Sequence, residues 1–325
     1  CATTSVTTQR KQDCSRANTS IAENPKAADR SAGQCKTKSR THRIGGAIRD
    51  DPITIIRNTK MNQFNFDTNA RSAVVTGSNS GIGLAIAKRL ASSGINVALK
   101  TFTDRPEDHE LADKIAKESG SKVIYLQADL SDPKQCSGLV QKTNDAFGSV
   151  DILVNNAGVQ HVEPIESFDP AWWDRVVAID LSAAFHTTKA VLPLMKKAGW
   201  GRIVNTASVH ALKASPFKIA YVSSKHGILG MTRATAVELG KSPVTCNAIC
   251  PGIVKTEMIL GQLDDQVKAT GLSKEEVMNE LFERVPSKDF VLPEQLAAAA
   301  AFLCSNAAAQ ITGIALPVDG GISAY

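Results

Sequence analysis

The chain has 325 residues, 43% of them hydrophobic, and a formal net charge of +5, enough to bury the core of one large α/β domain or two small ones. Residues 1–60 hold twelve Lys and Arg against five Asp and Glu, which leaves the other 265 residues at −2. A near-neutral body gives no reason to expect nucleic acid, and no apolar run approaches the roughly 20 residues of a membrane helix.

Residues 1–60 are rich in Ser, Thr, Lys and Arg and lack a hydrophobic period, so they are not assigned to the fold. Three readings stand open: a disordered basic extension, sequence translated upstream of a start at Met61, or a mitochondrial presequence. Acidic Asp13, Glu23, Asp29, Asp50 and Asp51 argue against the last. From Met61 onward a single domain is expected. Its cysteines, Cys136, Cys246, Cys250 and Cys304, and the earlier Cys1, Cys14 and Cys35 make an odd total without zinc-like spacing. No metal site is expected, and a reducing cytoplasmic compartment suits this usage better than a secretory one.

Ala73 to Thr76 reads as a buried strand running into Gly77-Ser78-Asn79-Ser80-Gly81-Ile82-Gly83, and a helical pattern follows through Leu84, Ile86, Ala87 and Leu90 to Gly94. Glycines in such a strand-turn-helix let the backbone approach a pyrophosphate, whose charge the free N–H groups of the helix start stabilise. A second strand, Asn96 to Leu99, ends in Lys100-Thr101-Phe102, where a dinucleotide site reads the adenosine ribose. No carboxylate stands first there, Asp104 lies slightly beyond, and Arg105 would favour a 2′-phosphate, so chemistry alone leaves NAD and NADP open. A third strand, Lys122 to Gln127, ends in Ala128-Asp129-Leu130. The Asp129 carboxylate suits either an adenine amine or a loop cap.

Val150 to Val154 is a fourth strand, delivered into Asn155-Asn156-Ala157-Gly158. Alternating strands and helices predict a doubly wound, Rossmann-type parallel sheet of about seven strands, helices on both faces, with ligands at the carboxyl ends. Helices at about 170–197 and 219–240 bracket a strand, Arg202 to Thr206, that leads to Ser208. Their apolar content exceeds what one sheet face needs, which predicts packing against another subunit. Val244 to Ile249 leads into Cys250-Pro251-Gly252-Ile253, and the variable stretch 254–290 is expected to form a lid over the site. A helix from Pro293 to Ser305 and a strand from about Ile314 to Val318 finish the pattern.

The chemistry centres on Tyr221-Val222-Ser223-Ser224-Lys225. On a helix over 219–240 these ends are four apart and share a face, so the Lys225 ammonium lies beside the phenol. A phenol titrates near 10, and a close cation stabilises its anion. Ser208 can offer its hydroxyl to a carbonyl oxygen that gains charge. The set suits hydride transfer between an alcohol and a ketone, although a lone Tyr-x-x-x-Lys arises by chance on many helices. Lys218, three residues before Tyr221, could give an acid substrate its cation; a solvated helix end is the plainer reading, and a satisfied loop histidine is the plainer reading of His210.

Together Thr76-Gly77-x3-Gly81-x-Gly83, Asn155-Asn156-Ala157-Gly158, Ser208, Tyr221-x3-Lys225, Pro251-Gly252 and Asp319-Gly320-Gly321 resemble the short-chain dehydrogenase/reductase family over about residues 70 to 325. The resemblance implies a homotetramer, with Tyr221 as acid/base, Lys225 on the nicotinamide ribose and Ser208 polarising the carbonyl. It implies a nicotinamide cofactor on Gly77, Ser80, Gly81, Ile82, Gly83, Phe102, Asp129, Leu130, Asn156, Pro251, Gly252 and Ile253, and NAD rather than NADP because a bulky Phe102 stands at the ribose. Within the family the D-3-hydroxybutyrate dehydrogenase group is most similar, through Asn155 to His161, Ser208-Val209-His210, Lys218, Asn247 to Gly252 and Ala308 to Gly313. That likeness implies Gln160, His210, Lys218 and Gln262 as holders of a substrate carboxylate. Two departures stand out. Asp180 replaces the family's usual asparagine before the catalytic strand, and Ile253 stands where bacterial relatives tend to carry tryptophan, which leaves more room above a 3-hydroxy acid.

Overall fold

The computed structural model describes residues 68–324; the expected basic tail and the expected domain start at Met61 lie outside them. Seven strands form one sheet: β1 (Ser72–Thr76), β2 (Asn96–Thr101), β3 (Val123–Gln127), β4 (Ile152–Asn155), β5 (Gly201–Thr206), β6 (Val244–Pro251) and β7 (Ala315–Val318). Their order is β3-β2-β1-β4-β5-β6-β7, and every pairing is parallel. Central parallel strands are covered on both faces, so they read as continuous apolar runs. In β1, Ala73 and Val75 point to one core and Val74 to the other.

One face is covered by α1 (Gly81–Ala91), α2 (Pro106–Ser119) and α9 (Pro293–Leu303), which contribute Ile86, Leu90, Ile115 and Leu296 to its core. The other is covered by α3 (Pro133–Phe147), α5 (Ala183–Ala198) and α6 (Ile219–Glu238), with Leu139, Val191, Met195 and Leu239 inward. Sequence punctuation marks the helix ends. Proline opens α2, α3 and α9, and left-handed Gly120, Gly148 and Gly199 close α2, α3 and α5, as capping statistics favour. The stretch 254–290 holds α7 (Glu257–Thr270) and α8 (Lys274–Phe282).

The helix expected at 170–197 is interrupted. It comprises α4 (Pro170–Val177), a π-helical turn (Ala178–Ser182) and α5. The widened turn carries Asp180 inward, where its carboxylate accepts the Val159 N–H at 2.7 Å; such turns recur at functional sites.

A buried polar network ties the sheet centre to the helices behind it. Asn155 Nδ2 donates to Asn205 Oδ1 at 2.9 Å, Thr187 donates to Asn155 Oδ1 at 2.7 Å, and Asn205 Nδ2 donates to Thr232 Oγ1 at 2.9 Å.

Candidate active site

Strand order reverses between β1 and β4, and that switch point is where open α/β sheets bind ligands. The turn after β1 fills it closely. Gly77 has φ +61°, and a Cβ there would lie 2.9 Å from Ala157 Cα. A Cβ on Gly83 would lie 2.1 Å from the Gly77 carbonyl oxygen, so this position carries the turn's shape rather than a lining side chain. Asn156 braces the turn by donating to the carbonyls of Thr76 (3.0 Å) and Gly77 (2.9 Å). Ser80 gives α1 no side-chain cap, which leaves its first N–H groups to an anion. A glycine-shaped cradle beside uncapped donors fits a dinucleotide pyrophosphate.

Phe102, at the end of β2, is 59% exposed. Lys100 is buried, and burial pulls its pKa down to about 8 against the opposing pull of Cys136 and Asp129. The Arg105 guanidinium is drawn to Asp108 at 3.5 Å, and that buried carboxylate also accepts from Thr103 (2.7 Å) and Asn79 (3.1 Å). Asp129 accepts from the Ser131 hydroxyl and N–H at 2.7 and 2.9 Å, which hold its pKa below the ordinary value. The loop-cap alternative is therefore the one visible in the structure. Leu130 is buried and lines an interior void of about 10 Å³ with Thr76, Asp180 and Thr206.

A cleft of about 380 Å³ opens at the carboxyl ends of the strands. Gly77, Ser80, Gly81 and Ile82 form one side, Asn156 and Gln160 the next, and Pro251 and Gly252 a third. Ser208, Tyr221 and Lys225 meet in it, and α7 supplies Gln262. The Lys225 Nζ lies 5.4 Å from the Tyr221 ring centroid, donates to the Thr206 carbonyl at 3.1 Å and stands 3.3 Å from Asp180 Oδ2. Burial works against this ammonium, but Asp180 and Tyr221 outweigh it and hold Lys225 protonated. Burial pushes the Asp180 carboxyl up, opposed by Lys225 and the Val159 N–H.

Ser208 Oγ accepts the His210 N–H at 3.1 Å and lies 3.3 Å from His210 Nδ1. The His210 ring meets the Tyr221 ring edge-on, with centroids 5.9 Å apart. Burial, then Lys218 and His226, bring His210 down to about 4, so it is neutral at pH 7. Lys218 is half-buried at the N-cap of α6, and burial lowers its pKa. The residue before it, Phe217, has φ +64°, a conformation that costs a non-glycine residue about 1–3 kcal/mol. Its carbonyl accepts the Glu163 N–H at 2.9 Å, which ties the Gln160 loop to the Lys218 loop. Neither His210 nor Lys218 lines the cleft itself, and Ile253 stands off its wall with its carbonyl on the Val291 N–H.

A family model described as Enoyl-(Acyl carrier protein) reductase matches residues 77–323. A D-beta-hydroxybutyrate dehydrogenase of Rhizobium meliloti is 47% identical over 255 residues, covering 78% of this chain and 99% of the relative. The chain belongs to the short-chain dehydrogenase/reductase family. A second D-beta-hydroxybutyrate dehydrogenase, from Cupriavidus necator, is 46% identical over 254 residues, 78% of this chain and 98% of its own. Among solved structures, an actinorhodin polyketide ketoreductase with NADPH superposes with a TM-score of 0.72 at 34% identity, covering 79% of this chain and 98% of that one. As a short-chain dehydrogenase/reductase, the protein is an oxidoreductase that works with a nicotinamide cofactor on a small molecule. No described helix is long and apolar enough to cross a membrane.

Sequence reading missed several neighbours of this short-chain dehydrogenase/reductase site. Asn79 and the α7 residues Glu257, Met258 and Ile259 line the cleft, and the Thr206 carbonyl receives Lys225. Asn79, inside the glycine turn, was the one carrying a visible signal. The others depend on how α7 and β5 face the cleft.

Proposed function

We propose that the protein interconverts D-3-hydroxybutyrate, or a close 3-hydroxy acid, and the 3-oxo acid, using NAD. The convergence of Ser208, Tyr221 and Lys225 on one cleft carries the reading, and the similarity to two D-beta-hydroxybutyrate dehydrogenases supports its substrate class. When bound, the nicotinamide cofactor supplies the hydride acceptor for oxidation and the hydride for reduction. The turn Gly77 to Gly83 would hold its pyrophosphate, Phe102 would meet the adenosine ribose, Asp129 and Leu130 would border the adenine side, and Pro251, Gly252 and Ile253 would border the nicotinamide end.

In oxidation the Tyr221 oxygen takes the hydroxyl proton as the carbonyl forms. Lys225 stabilises the charge on that oxygen, and Ser208 donates a hydrogen bond to the substrate oxygen. Gln160 and Gln262 donate to the carboxylate from the cleft wall, and neutral His210 and Lys218, which stand off that wall, turn in on binding to add a donor and the counter-charge. The segment 254–290 acts as the lid, with Gln262 closing over the substrate. A homotetramer built through α5 and α6 would cover Phe185 and Val237, which are 50% and 81% exposed.

NADH formation from a panel of 3-hydroxy acids and uncharged secondary alcohols tests the reading. Preference for the uncharged alcohols would end it. The family model's description and the NADPH-bound ketoreductase favour a second reading, an NADPH-dependent 3-oxoacyl thioester reductase. Lys218→Ala separates the two: KM for the acid rises about tenfold or more if a charge-assisted contact is lost, and stays level in the rival. Cofactor binding without turnover of any substrate would mark a lapsed enzyme.

A further inference from the structure

Asp180 is a buried carboxylate to which the chemistry above gives no task. Its side chain is 0% exposed on the π-helical turn between α4 and α5. Oδ1 is occupied by the Val159 N–H, while Oδ2 makes no hydrogen bond of good geometry and faces Lys225 Nζ at 3.3 Å. On the Gly158 side the space around the pair is closed. A Cβ on Gly158 would lie 2.8 Å from Asp180 Oδ2 and 3.4 Å from Lys225 Nζ, so the backbone passes over both only as glycine.

Lys225 is faced by Asp180 from the π turn, Tyr221 from its own helix and Cys250 from β6; among the described residues, Lys225 is the one charged group that Asp180 faces. A lone ammonium favours negative charge on the Tyr221 oxygen. An ammonium with a carboxylate at its back presents a dipole, whose effect falls off faster with distance.

We propose that Asp180 is a positioning residue acting through Lys225: its carboxylate fixes the ammonium between β5 and the 156–160 loop, offsets part of its charge, and so sets the pH range in which the site oxidises alcohols. This rests on the dehydrogenase reading above. The offset moves oxidation to higher pH than the same lysine would support without a counter-ion.

Asp180→Asn tests it, because the amide oxygen still accepts the Val159 N–H while the charge is gone. The acid limb of kcat/KM for oxidation should move down by about one pH unit, a roughly tenfold gain in rate at a pH on that limb. A folded, active D180N with its limb unmoved or moved upward would overturn the proposal. Wild-type turnover, and its loss in Tyr221→Phe, tests the dehydrogenase reading separately. The carbon-13 signal of Lys225 Cε, assigned by its disappearance in Lys225→Met, reads the ion pair without turnover. In wild type it should titrate above 10.5, and in D180N lower. Equal titrations overturn the pairing, and if D180N does not fold, a wild-type titration at or below 10.5 does so.

Discussion

Replacing Lys100 with methionine should stabilise the protein, by an amount that depends on pH in a defined way. The side chain is 4% exposed at the end of β2, and burial brings its pKa from 10.5 to about 8. That difference corresponds to about 3 kcal/mol, an upper figure wherever water reaches the ammonium. Below pH 8 the lysine is charged in both folded and unfolded chains, so the whole penalty falls on the fold and K100M leads by up to about 3 kcal/mol. Between 8 and 10.5 the unfolded chain keeps a proton that the folded one has released, so wild type gains on the variant as pH rises. Above 10.5 both forms are neutral and the lead is gone. Urea unfolding of both proteins from pH 7 to 11, compared at equal m-value, measures this. A less stable K100M at pH 7, or a difference constant across the window, would refute the reasoning.

Gly83→Ala should reduce NADH affinity, because its Cβ meets the Gly77 carbonyl at 2.1 Å and Asn156 Nδ2 at 2.5 Å. Moving that backbone costs about 1–3 kcal/mol, or roughly ten- to a hundredfold in the Kd from a fluorescence titration; an unchanged Kd would contradict it. Held at about 4 against 6.5 when unfolded, neutral His210 lets the unfolded chain take a proton first as pH falls, so stability declines from 6.5 to 4 by up to about 3 kcal/mol. His210→Gln should flatten that decline in melts between pH 7 and 4, and parallel curves would refute it.

The sheet was legible because covered parallel strands leave continuous apolar runs such as Ala73-Val74-Val75 and Ile152-Leu153-Val154, all buried. Strand ends were less so. β6 continues to Pro251, two residues past the expected end at Ile249, because pairing with β7 reaches Val318. The π turn at Ala178–Ser182 left no mark in the apolar period, since one widened turn barely disturbs it, and the Val159 N–H that Asp180 accepts comes from another loop. Ser208, Tyr221 and Lys225 stood out as a set only within the joint motif pattern, because Tyr-x-x-x-Lys alone arises by chance on many helices. Asp129 was not, because a short-range cap and a ligand contact ask for the same carboxylate. Lys100 read as an ordinary strand-end lysine, and only the covering of that strand face, which Cys136 of α3 shares, makes it costly.

The Asn155–Asn205 contact has a bearing on how the molecule comes together. It joins β4 to β5, the seam between the half that carries the glycine turn and the half that carries Ser208 and Tyr221. Closing the seam out of register would bury each amide without its mate, at a cost of about 1–3 kcal/mol per group. A shifted pairing of the two halves is thereby disfavoured, so one buried amide pair fixes the register of both walls of the cleft.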